Sequence, residues 1–244
     1  MAQFVYIHDV NDVPNPPKNA LALLEYAKNN QGKITYPAPP DFTGITFIKQ
    51  IASEIITNPS ILQNAPPQDY QTDLQPLWAY LDELHQYGWR QGQDFPKNES
   101  QMINLLNNRE IDIAYSFNIS AAANAIAKKQ LPPSAKAYVP SKGSIANVHF
   151  LAIPYNSNVK NAAMVVIDFM LSPQAQARKQ NPNIWGEPTV LSMARLNNAD
   201  KAYFDSLPQN DAIPNAQQLA QKLPEPHSGW VEIIKNEWRH RYRQ

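Results

Sequence analysis

An alternation of strand-like and helix-like periods constrains this chain more than any other feature of its sequence. Gln3 to His8 alternates and is rich in Phe, Val, Tyr and Ile, the pattern of a β-strand. A loop carrying Pro14, Pro16 and Pro17 follows, and Asn19 then precedes ALALLEYAKNN, in which Leu21, Leu24, Tyr26 and Ala27 recur at helical spacing before Gly32 stops the run. Lys33 to Tyr36 reads as a short second strand. Strand, helix and strand in that order form a βα unit, so an α/β fold is predicted, with a mostly parallel sheet and helices on both faces over residues 9 to about 138.

The pattern continues. Pro37, Pro39 and Pro40 lead to Asp41-Phe42-Thr43-Gly44 and the helical run ITFIKQIASEII, where Asp41 or Thr43 is suited to cap the first amides. Read one way, this turn is only a helix cap. Read another, it sets a helix N-terminus at the carboxyl end of a strand, the edge where ligands gather in open α/β sheets and where free N–H groups favour an anionic or acceptor atom. LQPLWAYLDELHQY, residues 74–87, is a helix whose Trp78, Tyr80, Leu81 and Leu84 suit packing. QMINLLN is another, leading to a strand over residues 110–115, the turn Ser116-Phe117-Asn118 and an Ala-rich helix over residues 120–129. Residues 135–140 and 144–154 read as strands, and KNAAMVVIDFML, residues 160–171, is apolar on nearly all sides, which predicts a well-buried helix. Ser172-Pro173 opens a further helix, PQAQARKQ, and Trp230 to Tyr242 is a final amphipathic one.

Composition narrows the function classes. With 244 residues, 43% of them apolar, the chain can bury a sizeable core. No apolar run approaches the length of a membrane span. The formal charge is zero and the cations are scattered, apart from Arg239, His240, Arg241 and Arg243, which suit the negative pole of a helix, so no nucleic acid partner is expected. Cysteine is absent, which removes disulfides, thiolate metal sites and cysteine nucleophiles together. The start, MAQFVYIHD, has neither a basic nor an apolar leader region, so either the native chain is not exported or its beginning has been removed. The nearest carboxylate pairs, Asp82-Glu83 and Glu110-Asp112, lie on a polar helix side and at a strand start, and read as structural. The five histidines form no HxxxH or HExxH arrangement, and no GxSxG, GxGxxG or Walker sequence occurs. No catalytic residue, metal site or cofactor is predicted.

Four segments, in order, carry a resemblance: YPAPPDFTGITFIKQ from Tyr36, EIDIAYSFN from Glu110, GSIANVHFLAIPYNS from Gly143 and AAMVVIDFMLSPQAQARK from Ala162. Together they resemble the family 1 bacterial extracellular solute-binding proteins, most closely their YnjB-like branch, over roughly residues 3 to 195. The resemblance implies a non-enzymatic substrate-binding component of an ABC-type importer, located in the periplasm or otherwise outside the cytoplasm. Its partners would be a small-molecule solute and the permease subunits of the membrane. It implies a periplasmic-binding-protein-like α/β fold of two lobes around a cleft, with one near-complete doubly wound lobe present here and a remnant of the other. On this reading residues 1–8 are the inter-lobe crossing strand, 9–138 lobe two, 139–180 a remnant of lobe one with a hydrophobic face exposed, and 181–244 the C-terminal helices returning to lobe two. About a hundred upstream residues of a full-length relative, and any signal peptide, would be absent.

The resemblance also implies where a solute would sit. Tyr36 heads the first segment, and Asp41, Phe42, Thr43 and Gly44 would offer helix N-terminal amides. Ser116, Phe117 and Asn118 would offer a hydroxyl, an aromatic wall and an amide. Gly143, Ser144 and Asn147 would add polar contacts from the hinge, and Trp185 an aromatic lid. Phe117 and Trp185 are equally suited to packing. The ligand implied is a small organic solute with an anionic or polar end; no adjacent tyrosine pair suggests iron. The rival readings are a carbohydrate-active hydrolase using paired carboxylates and an inactive gene fragment.

Overall fold

The computed structural model describes residues 2–243, so Met1, the first residue of the expected crossing segment, lies outside it. Two three-stranded sheets organise the chain. In the first, β1 (Ala2–Gln3) pairs antiparallel with β5 (Ser144–Asn147), which pairs in parallel with β6 (Lys222–Pro224). In the second, β2 (Val5–Asp9) lies between β3 (Ala114–Ser116) and β4 (Ala135–Tyr138). Ten α-helices surround these sheets among the described residues.

The expectation of a mostly parallel sheet is corrected. Val5 pairs with Ser116 and Tyr6 with Tyr138, both antiparallel. β3 and β4 run the same way, joined by α5 (Ala121–Ala127), and β2 runs against both. Lys33–Tyr36, which proximity in sequence had suggested as the neighbour of β2, forms no strand ladder. It is fixed instead by loop hydrogen bonds: Trp89 N–H donates to Ile34 C=O at 2.8 Å and Asp112 N–H to Lys33 C=O at 2.9 Å.

The core fills the space between the second sheet and α1 (Ala20–Asn29), α2 (Phe42–Ile55), α3 (Gln71–Tyr87) and α4 (Glu99–Asn107). Phe4, Tyr6 and Tyr115 pack with Phe47 of α2, and Leu74, Leu77, Trp78, Tyr80, Leu81 and Leu84 present the buried face of α3. α10 (Gly229–Tyr242) returns across 200 residues to close this core. Its buried Trp238 donates an N–H to the Tyr36 hydroxyl at 2.7 Å, and that hydroxyl lies 2.7 Å from Nε2 of His85. Tyr242 donates to Asp82, and Lys28 pairs with Glu83, so that carboxylate pair is structural; Asp112 accepts from the Tyr26 hydroxyl in the same way.

Residues 148–171 stand apart. The expected strand over residues 144–154 ends at Asn147, and residues 148–153 pair with nothing in either sheet. α6 (Lys160–Leu171) was predicted to be deeply buried, and the structure corrects this: none of its residues is buried, with Val165 70% exposed and Phe169 65%. Its main packing partner is α7 (Pro173–Gln180). An all-round apolar helix needs layers on more than one side, and here one side is supplied. The exposed hydrophobic face expected over residues 139–180 is therefore present, formed by Phe150, Leu151, Met164, Val165, Val166 and Phe169.

Candidate functional site

Asp41 rather than Thr43 caps α2. Its Oδ1 accepts from the N–H groups of Thr43 at 2.9 Å and Gly44 at 3.1 Å. Gly44 is required sterically, because a Cβ there would sit 1.8 Å from the carbonyl oxygen of Pro37. Thr43 is buried, and Phe42, 54% exposed, projects outward to meet Phe117 edge-on with ring centroids 5.2 Å apart. That contact joins the helix start to the turn after β3. Ser116 Oγ accepts from Asn118 N–H and Asn118 Oδ1 from Ser120 N–H, each at 3.0 Å, so the turn is braced by its own side chains.

Trp185 reaches the same neighbourhood through its neighbour. Ser120 donates its hydroxyl to Gly186 C=O at 2.8 Å, and a Cβ on Gly186 would come within 2.1 Å of Ser120 Oγ. The Trp185 ring is 45% exposed, with Lys179 Nζ 5.6 Å from its centroid. Asp41, Phe42, Phe117 and Asn118 thus form one face, with Ser116 fully buried beneath it and the Trp185 loop tied to it through Ser120. Glu99, at the first turn of α4, belongs to it and has no motif to announce it. Burial pushes its carboxyl above the usual carboxylate range and the nearby Asp41 adds to this, while a hydrogen bond with Ser116 opposes them.

Gly143, Ser144 and Asn147 form a second group. Gly143 has φ +91°, and a Cβ would meet the backbone of Gln221 at 2.8 Å. Gln50 of α2 donates to Gly143 C=O at 3.2 Å and accepts from Ile145 N–H at 2.9 Å; Gln3 donates to Ser144 Oγ at 3.3 Å. Asn147 donates to Glu225 at 2.7 Å, and Glu225 also pairs with the buried Lys49. Of the residues missed from the sequence, Gln50 had a signal, since Thr43, Thr46 and Gln50 recur at i, i+3 and i+7 as a buried polar stripe on α2; the buried Lys49 had none. Tyr36 joins neither group. It is 1% exposed, stacked on Phe47 at 4.6 Å, with burial pushing its hydroxyl up.

A cavity of about 910 Å³ lies along the outer edge of β4; none of the residues named for the solute lines it, though Ile119 and Gly186, neighbours of Asn118 and Trp185, do. Among the described residues no cluster of His, Cys, Asp or Glu is arranged to hold a metal ion, and no helix is long and apolar enough to cross a membrane.

Comparison with known proteins adds family and fold. A profile described as bacterial extracellular solute-binding protein matches residues 2–215. Protein YnjB of Escherichia coli (strain K12) is 41% identical over 242 residues, covering 99% of this chain and 61% of that protein. An ABC transporter structure from Clostridium perfringens superposes with a TM-score of 0.65 at 16% identity, covering 99% of this chain and 66% of that one. A putative spermidine/putrescine ABC transporter from Listeria monocytogenes gives 0.63 at 16% identity, covering 100% and 67%. The chain therefore spans about two thirds or less of the length of the proteins it matches.

Proposed function

The chain belongs to the bacterial extracellular solute-binding proteins, and from that premise we propose that it carries one lobe and the hinge of an ABC importer's substrate-binding component. On this reading residues 1–8 cross between lobes, 9–138 are lobe two, 139–180 belong to lobe one and 181–244 return to lobe two. The protein acts outside the cytoplasm and hands its solute to a membrane permease. It performs no chemistry on what it carries.

The observation that carries the reading is the meeting of Phe42 and Phe117 beside Asp41, Ser116 and Asn118, next to the strands proposed as the hinge. Apolar rings with a few fixed polar groups are the ordinary composition of a small-molecule site, and a two-lobed carrier completes such a site by closure. The rest of lobe one would be supplied by an α/β segment that covers the apolar face of α6. The solute is a small organic molecule with a polar or anionic end.

The test uses the chain fused to the part of the Escherichia coli relative that it does not cover, screened by thermal shift against vitamins, polyamines, amino acids and sugars. A solute that binds only the folded form raises the melting temperature by mass action. Calorimetry with that solute should then show Phe42→Ala and Asn118→Ala each weakening binding by about 1 kcal/mol or more. Unchanged affinity in both variants removes this face from the site, and hydrolysis of any library member would overturn the carrier reading.

A further inference from the structure

We propose that the cavity along β4 is a second ligand site, adjoining the solute face, that takes a small organic dianion such as a dicarboxylate or a phosphate ester. Its volume of about 910 Å³ falls within the span of small-molecule pockets. One wall is the edge of β4 with the loop after β2; the other is formed by residues 180–222. The walls meet where Ala137 N–H donates to Ala212 C=O at 2.9 Å.

Charge decides the ligand class. Lys18, Lys136 and Lys222 line the cavity against a single acid, Asp211. Burial opposes protonation of His8, with smaller opposition from Lys18 and Lys136, while the Val13 carbonyl and Asp9 favour it. Neither lysine forms an ion pair among the described residues. Lys18 is held instead 4.1 Å above the ring centroid of Tyr138, and His8 is fixed by a 2.8 Å hydrogen bond between its Nδ1 and Val13 C=O. Lys18, held in place, and the exposed Lys136 on the same wall, neither of them in an ion pair among the described residues, suit an anion with two charged oxygens, since charge-assisted hydrogen bonds are the strong ones. Burial lowers the ammonium pKa of Lys18, and an anionic ligand would reverse that shift.

The walls are also stiff. Six of the lining residues are prolines, Pro14, Pro16, Pro182, Pro188, Pro208 and Pro214. Proline fixes φ and offers no N–H, so these walls keep their shape without ligand and leave recognition to the lysines. Little ordering is then needed on binding.

The 244-residue chain is titrated calorimetrically with succinate, inorganic phosphate and putrescine at constant ionic strength set with sodium chloride. Saturable binding of succinate or phosphate, with none of putrescine, is expected. Lys18→Ala/Lys136→Ala should lower that affinity at least tenfold, and Lys136→Gln, a change at an exposed strand position, should lower it measurably even if the double variant folds poorly. Absence of saturable binding by either anion, equal binding of putrescine, or undiminished affinity in Lys136→Gln would overturn the proposal.

Discussion

Gly44→Ala sets two opposed effects of known size against each other. In an open helix, alanine is favoured over glycine by about 1 kcal/mol. At Gly44 the new Cβ would lie 1.8 Å from Pro37 C=O, so one of them must retreat by roughly 1.5 Å to reach a C···O separation of about 3.3 Å. Neither is free to do so. Ala38 N–H is bonded to Pro96 C=O at 2.9 Å and Asp41 N–H to Ala38 C=O at 3.1 Å, while the amide of Gly44 itself is held by Asp41 Oδ1. Overpacking typically costs about 1–3 kcal/mol, and loss of a cap adds about 1 kcal/mol. The clash therefore wins, with a net loss of about 3 kcal/mol. For a urea dependence of about 3 kcal/mol per molar, the denaturation midpoint followed by tryptophan fluorescence should fall by about 1 M. Gly32→Ala is the control: φ is +80° there but no atom lies within 4 Å of the added Cβ, so only the left-handed backbone is taxed, by about 1 kcal/mol. A Gly44→Ala midpoint equal to or above that of Gly32→Ala would refute the packing argument.

Further outcomes concern the core and the exposed helix. Burial lowers the folded-state pKa of His85 from 6.5 to about 4, so its contribution to stability is present above pH 6.5 and is lost as pH falls through 6.5 towards 4. The loss amounts to roughly 3 kcal/mol in full; urea midpoints at pH 7.5 and 4.5 should differ accordingly, and His85→Gln should shrink that difference. Among the described residues the buried Tyr115 hydroxyl finds no hydrogen-bond partner, so Tyr115→Phe should hold or raise the melting temperature, by up to about 1 kcal/mol of stability; a large loss would mean the hydroxyl is satisfied. Val165→Lys with Phe169→Glu places charges on the open face of α6, and should cut self-association by light scattering while changing stability by under about 0.5 kcal/mol per site. A collapse of the fold in that variant would show that α6 is covered after all.

The helices were legible in the sequence because their 3.6-residue period is local: Trp78, Tyr80, Leu81 and Leu84 of α3 are buried as their spacing put them, whereas in α1 only Leu24 and Ala27 of the four residues read as its apolar face are, and Leu21 is exposed. Strand pairing was not. The neighbours of β2 lie more than a hundred residues downstream, and no local pattern records which strand is adjacent or which way it runs. The period of α6 reported what needs covering and could not report what covers it. At the site, Asp41 and the turn at Ser116 were readable from cap and turn chemistry. Glu99 was not, because its importance arises from Asp41 and Ser116 being brought beside it from distant parts of the chain.

α2 ties the two polar groups of the molecule into one mechanical unit. Its first turn holds Asp41 and Phe42 at the proposed solute face, while Lys49 and Gln50, about two turns later, hold Glu225, Gly143 and Ile145 at the proposed hinge. A helix transmits displacement because its backbone hydrogen bonds resist compression, so a solute that pulls on the first turn pulls on these contacts too. The contacts are costly to leave half-made: removing one partner of a buried ion pair typically costs about 3–5 kcal/mol, because the other charge stays behind unpaired. A movement of the strands that parted Lys49 from Glu225 would carry that cost unless Lys49 met another partner. That makes the Lys49–Glu225 contact the place where an open and a closed form would differ in free energy, and binding at Phe42 and Phe117 can shift the balance only by as much as the two forms differ in affinity for the solute.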